Sequence, residues 1–150
     1  MRSDDERRDK PADSREPAPP ARRREVAAKN AAPTLRAGVV SAFGRWTLDG
    51  EIASGPDPVT AFLGALGGCL LMSLRIAARV RGAELGRAAV HVRSNEKGHL
   101  KEIKVELEVQ TALEDQPLAR LVEVAERGCH IKAMLREDIA FNLAVRRIAG

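Results

Sequence analysis

Cys69 and Cys129 are the residues of this 150-residue chain best suited to nucleophilic or redox chemistry. A cysteine works through its thiolate, so each needs a cation or hydrogen-bond donors to offset the pKa rise that burial brings. His91 and His99 have no cysteine or acid at metal-ligand spacing, and His130, beside Cys129, reads as a surface residue. No GxGxxG, Walker A, HExxH or CxxC pattern occurs, so neither a metal nor a bound cofactor is expected. Two cysteines 60 positions apart are, on spacing alone, more often structural than redox partners, so their surroundings must decide.

Cys69 falls on a long apolar segment. Apolar residues at Phe62, Leu63, Leu66, Leu70, Leu74 and Val80 recur three or four apart, which predicts a helix. Asp57 is placed to cap it and Pro58 fits its first turn. Gly64, Gly67 and Gly68 inside this half predict close backbone approach. Burial there raises the thiol pKa of Cys69. Cys129 follows DQPLARLVEVAERG, a helix that Asp115 caps and Gly128 ends, and precedes a short helical run, IKAMLRED. Free amides at the start of that run are expected to help Cys129 form a thiolate.

The remaining segments read as strands. TLRAGVVSA and RWTLDG flank a turn at Phe43-Gly44, and GEIASGPDP is a loop. RAAVHVRSNE and LKEIKVELEVQT pair through Lys97-Gly98, and IAFNLAVRRI alternates like a last strand. The expected order is ββαββααβ, an α+β fold with a long central helix against an antiparallel sheet. Residues 1–33, rich in Arg, Asp, Glu and Pro with Arg22, Arg23 and Arg24 as a basic cluster, read as a disordered tail, leaving 34–150 as one domain.

The 25 basic residues are offset by 21 acidic ones to a net charge of +4, without interleaved aromatics, which argues against nucleic acid as a partner. The apolar run from Val59 to Leu74 is shorter than the ~20 residues of a membrane span, so no membrane association is expected. MRSDDERRDK lacks a signal-peptide apolar core, which points to the cytoplasm.

GPDPVTAFLGALGGC, Gly55 to Cys69, resembles the signature GP-x-P-x-E-LLLAALGGC of the OsmC and organic hydroperoxide reductase superfamily. The resemblance continues through LLMSLRIAARVRGAEL and recurs in LVEVAERGCHIKAML, covering about residues 34–148. It implies an intertwined homodimer with paired central helices. It also implies thiol peroxidase chemistry: Cys69 attacks a hydroperoxide and becomes a sulfenic acid, Cys129 resolves it as a disulfide, and an external dithiol such as a lipoyl group resets the pair. In the family an arginine, oriented by a glutamate, supports the thiolate. Arg45 matches best, with Arg36 as the alternative. The glutamate falls at Val59 or Thr60 and is missing; Asp57 and Glu51 are nearby acids, and His130 stands where the family often has proline.

The expected function is therefore reduction of organic hydroperoxides by a homodimer. The competing expectation is a module of the same fold that binds an apolar ligand and has lost peroxidase chemistry with the glutamate. A weaker third is an interaction protein whose Arg-rich tail holds a polyanion.

Overall fold

The computed structural model describes residues 24–30, 33–94 and 99–148. Six strands and two helices form in the order β1 (Val26–Asn30), β2 (Arg36–Ser41), β3 (Gly44–Asp49), α1 (Pro58–Arg81), β4 (Ala88–Arg93), β5 (Glu102–Gln110), α2 (Asp115–Gly128), a 3-10 turn (Lys132–Met134) and β6 (Ala140–Ile148). The expected α+β class and long central helix hold. The strands divide into two three-stranded sheets, β1-β2-β3 and β4-β5-β6. β4 pairs antiparallel with β5, while β6 runs parallel to β5 from Ala140 opposite Glu102 to Ile148 opposite Gln110. The second sheet is thus mixed, because α2 and its following turn carry the chain back to the start of β5.

Three local expectations need correcting. β1 lies inside the segment read as a tail: VAAKN buries no side chain, but all five residues pair in register with β2, from Val26 opposite Ser41 to Asn30 opposite Ala37. A strand held by its backbone ladder leaves little apolar pattern. Residues 1–23, 31 and 32 of that segment, and the Lys97-Gly98 turn, lie outside the described residues. The run after Cys129 contracts to three residues of 3-10 helix with no buried side chain. Glu114, not Asp115, is the N-cap of α2.

α1 forms as its sequence dictates. The Asp57 carboxylate accepts from the amides of Val59 and Thr60, Pro58 occupies the first turn, and Gly82 closes the helix at φ 63°, a left-handed conformation suited to glycine. Its 24 residues make it long and apolar enough to cross a membrane by length and composition. Here it is the domain's core helix, for Leu66, Leu70, Leu74, Ala77 and Ala78 are buried. Of the three internal glycines, Gly67 makes the expected close approach: a Cβ there would meet Val90 and Val92 at 3.0 and 3.1 Å. Gly64 and Gly68 face open space.

Two adjoining cores result. Leu74, Ala77, Leu107, Val109, Leu118, Leu121, Val122 and Ala125 join α1, β5 and α2. Leu66, Leu70, Ile103, Val105 and Cys129 form the second, with Cys69, Ile131, Leu135 and Phe141 packed at its edge. Neither contains a residue of β1–β3.

Candidate active site

The fold brings the two cysteines together. Cys69 lies midway along α1 and Cys129 caps the C-terminus of α2, and both are free thiols. Cys129 is fully buried, whereas Cys69 is half-buried. Their sulfurs are near enough for each to bias the ionisation of the other.

The two thiols are biased in opposite directions. Burial alone would push Cys69 up, but the Ile131 amide, the Cys129 S–H, the His130 amide and the Ser73 hydroxyl all donate to its sulfur, and the net direction is down. Cys129 moves up: burial dominates, the neighbouring Cys69 sulfur adds to it, and the Lys132 amide, 3.5 Å from Sγ, opposes it only partly. The arrangement therefore favours Cys69 over Cys129 as the thiol of the pair that ionises first. Sequence neighbourhood assigns the free amides to Cys129. In space, the Lys132 and Ile131 amides do act on Cys129, but the Ile131 amide also acts on Cys69, and so does that of His130.

The other candidates sit apart from the sulfurs. Arg36 Nε donates to Asp49 Oδ2 at 3.2 Å. Asp49 is fully buried and also accepts from Ser54 Oγ at 2.7 Å, the Ser54 amide at 2.9 Å and the Glu51 amide at 2.9 Å. These donors, the Ser54 hydroxyl foremost, hold its carboxyl well below the usual carboxylate range. The loop bends so tightly around it that Ile52 adopts φ 59°. Register places Arg45 on the same face as Arg36, and neither is among the groups that touch Cys69. Thr60 stands nine residues before Cys69, half a helical turn out of phase at ~100° per residue, and its hydroxyl donates to Asp57 Oδ2 at 2.5 Å. Asp57 is thus the cap the sequence suggested. Its carboxyl is lowered by the Thr60 hydroxyl first and by the Thr60 and Val59 amides. Val59 and His130 are exposed.

Sequence reasoning missed Ser73 and Asp49. Ser73 carried a usable signal, being four residues beyond Cys69 on the same helix face. Asp49 carried none, because its burial follows from the path of the loop after β3. Among the described residues no group of three or more His, Cys, Asp or Glu could hold a metal.

Comparison with known proteins fixes the family. A family model described as OsmC-like protein matches residues 49–144. The chain belongs to the OsmC-like family. It is 25% identical over 101 residues to an uncharacterised protein of Haloferax volcanii, covering 65% of this chain and 76% of that one. Solved structures share the fold. The OsmC-like protein of Mycoplasma pneumoniae superposes with a TM-score of 0.73 at 15% identity, over 85% of this chain and 97% of the other. An organic hydroperoxide resistance protein of Legionella pneumophila gives 0.60 at 20%, over 81% and 94%. That of Bacillus subtilis gives 0.56 at 20%, over 81% and 96%.

Proposed function

We propose that this OsmC-like protein is a thiol peroxidase that reduces organic hydroperoxides in a reducing compartment. The observation that carries the reading is the polarised sulfur pair, a thiol pushed down in contact with one pushed up. The Cys69 thiolate attacks the O–O bond of the hydroperoxide, forming an S–O bond and releasing alkoxide as Cys69 becomes a sulfenic acid. The Cys129 S–H protonates the alkoxide, which leaves as alcohol, and Cys129 becomes the thiolate. It then attacks the sulfenic sulfur and expels hydroxide, which solvent protonates to water. The Cys69–Cys129 disulfide is reduced by an external dithiol, with a lipoyl group the class that family resemblance suggests.

The same reading includes a homodimer. At ~100° per residue Phe62, Ala65, Cys69, Met72, Ile76 and Val80 share one face of α1. Met72, Ile76 and Val80 are 63%, 61% and 78% exposed, an apolar stripe with the nucleophile at its centre. The apolar face of β1–β3, with Val26 and Trp46 at 62% and 44%, is likewise uncovered. A second copy supplies a cover for both and closes the apolar side of the thiol site.

One observation favours a second reading, a binding module without peroxidase chemistry. The family glutamate is replaced, Thr60 is engaged by Asp57, and among the described residues no arginine is one of the groups that set the Cys69 thiol. The test is to mix reduced protein with about one equivalent of cumene hydroperoxide and follow free thiols and intact mass, beside Cys69→Ser and Cys129→Ser. Rapid loss of two thiols and two mass units, absent in Cys69→Ser, is the expected result. Thiols that survive excess peroxide for hours in a folded protein would end the peroxidase reading in favour of the binding module.

A further inference from the structure

We infer that Lys132 is a positioning residue: clamped between Glu126 and the Phe141 ring, it holds the 130–132 turn in the one arrangement that aims its main-chain amides at the two sulfurs.

The turn has little else to fix it. It is three residues of 3-10 helix with no buried side chain, closed by the Met134 amide on the Ile131 carbonyl at 3.1 Å and the Leu135 amide on the Lys132 carbonyl at 3.0 Å. So short a 3-10 segment is not self-sustaining. Ile131 and Leu135 are only half-buried at the edge of the second core. Beyond that packing, the Lys132 side chain makes polar and ring contacts with two other elements. Its ammonium pairs with Glu126 in the last turns of α2 and lies 5.0 Å from the Phe141 ring centroid on β6. Its own amide faces Cys129 Sγ, the His130 amide acts on Cys69, and the Ile131 amide acts on both sulfurs. Anchoring this one side chain therefore sets three donors at once.

Other charges nearby are already committed. Glu126 and Phe141 line an outer cleft with Arg93, Lys104 and Glu106. Arg93 pairs with Glu106 at 2.7 Å and Lys104 with Glu102 at 3.3 Å. Arg136 pairs with Asp138, and Arg127 and His130 are exposed. Lys132 is thus the cation that holds Glu126. Because the pair is close to neutral as a unit, it acts on the sulfurs through the turn's geometry rather than as a bare charge.

This distinction has a sign. In the full-length reduced protein, the pH dependence of iodoacetamide alkylation, resolved for Cys69 and Cys129 by peptide mass, reads the thiolate of each. With a clamp, Lys132→Met and Glu126→Gln both move the Cys69 midpoint upward, about one pH unit or a tenfold loss of rate at neutral pH, and Lys132→Arg restores it. If charge alone mattered, the two would move it in opposite directions, since Glu126→Gln frees a cation. Opposite shifts, or none, overturn the inference. If Lys132→Met does not fold, Glu126→Gln decides by the same sign. The inference deepens the peroxidase reading, yet alkylation needs no peroxide. An inactive protein showing both upward shifts keeps the clamp and loses the peroxidase, and an active one showing neither does the reverse.

Discussion

The two halves of the molecule are built on different terms. From α1 onward, one helix packs with a second against a mixed sheet, and Leu66, Leu74, Ile103, Val105, Val109 and Leu121 are almost wholly enclosed. The N-terminal sheet contributes nothing to either core. It is held by its ladders, by the Asp49 carboxylate gathering Arg36, Glu51 and Ser54, and by the Asp49 amide on the Pro56 carbonyl at 3.0 Å. A sheet with one polar face and apolar side chains exposed on the other offers a surface that another element could cover. The difference teaches that the C-terminal layer closes on its own contacts, whereas the N-terminal sheet leaves apolar side chains exposed, the surface that the proposed second copy would cover.

The comparison breaks most directly at the stripe on α1. Met72→Glu with Ile76→Glu should convert the dimer to monomer, weakening association by about a hundredfold or more, since two charges would be buried without partners. Analytical ultracentrifugation across a concentration series reads this, and a monomeric wild type would refute the dimer. Leu66→Ala removes a fully buried side chain from the second core and should cost about 2–5 kcal/mol. Urea unfolding followed by far-ultraviolet circular dichroism checks that figure, because both helices belong to the C-terminal half. The single tryptophan, Trp46, lies in β3 and reports the other half by fluorescence.

How much of this was legible in the sequence depended on whether the cause was local. Asp57, Pro58 and the apolar spacing of α1 act within a few residues, and the helix formed where they put it. β1 escaped because VAAKN is stabilised by pairing, which alternation does not record. The cysteine pair was legible through the resemblance, not through a spacing of 60 residues. The direction of the thiol bias was not, because it follows from burial of Cys129 and from amides adjacent to Cys129 in the chain that also reach Cys69 in space. Asp49 was invisible for the same reason: a strand-ending aspartate becomes a buried anchor only when the loop closes over it.

That anchor gives a prediction confined to the N-terminal half. The folded-state pKa of Asp49 is depressed, so its stabilisation is fully present above the unfolded carboxylate value of about 3.9 and is lost as pH falls from there toward the folded value. Acidification should therefore shift the Trp46 unfolding midpoint before it shifts the helical signal. Asp49→Asn should lower the Trp46 midpoint at neutral pH and flatten its acid dependence. Coincident movement of both probes would show the halves to be one cooperative unit.

The smallest effect sharpens the comparison from within the site. Ser73 lies one turn beyond Cys69 on α1 and is one of four donors to its sulfur, last in strength among them. Ser73→Ala removes a donor without charge or much volume, so neither the Trp46 transition nor the helical one should move. Only the Cys69 alkylation midpoint should rise, by a few tenths of a pH unit, or roughly a twofold loss of thiolate near neutrality. Such a shift, at unchanged stability in both halves, would show that the hydroxyl acts on ionisation alone. An unchanged midpoint would leave the main-chain amides and the Cys129 S–H as the groups that set the thiolate.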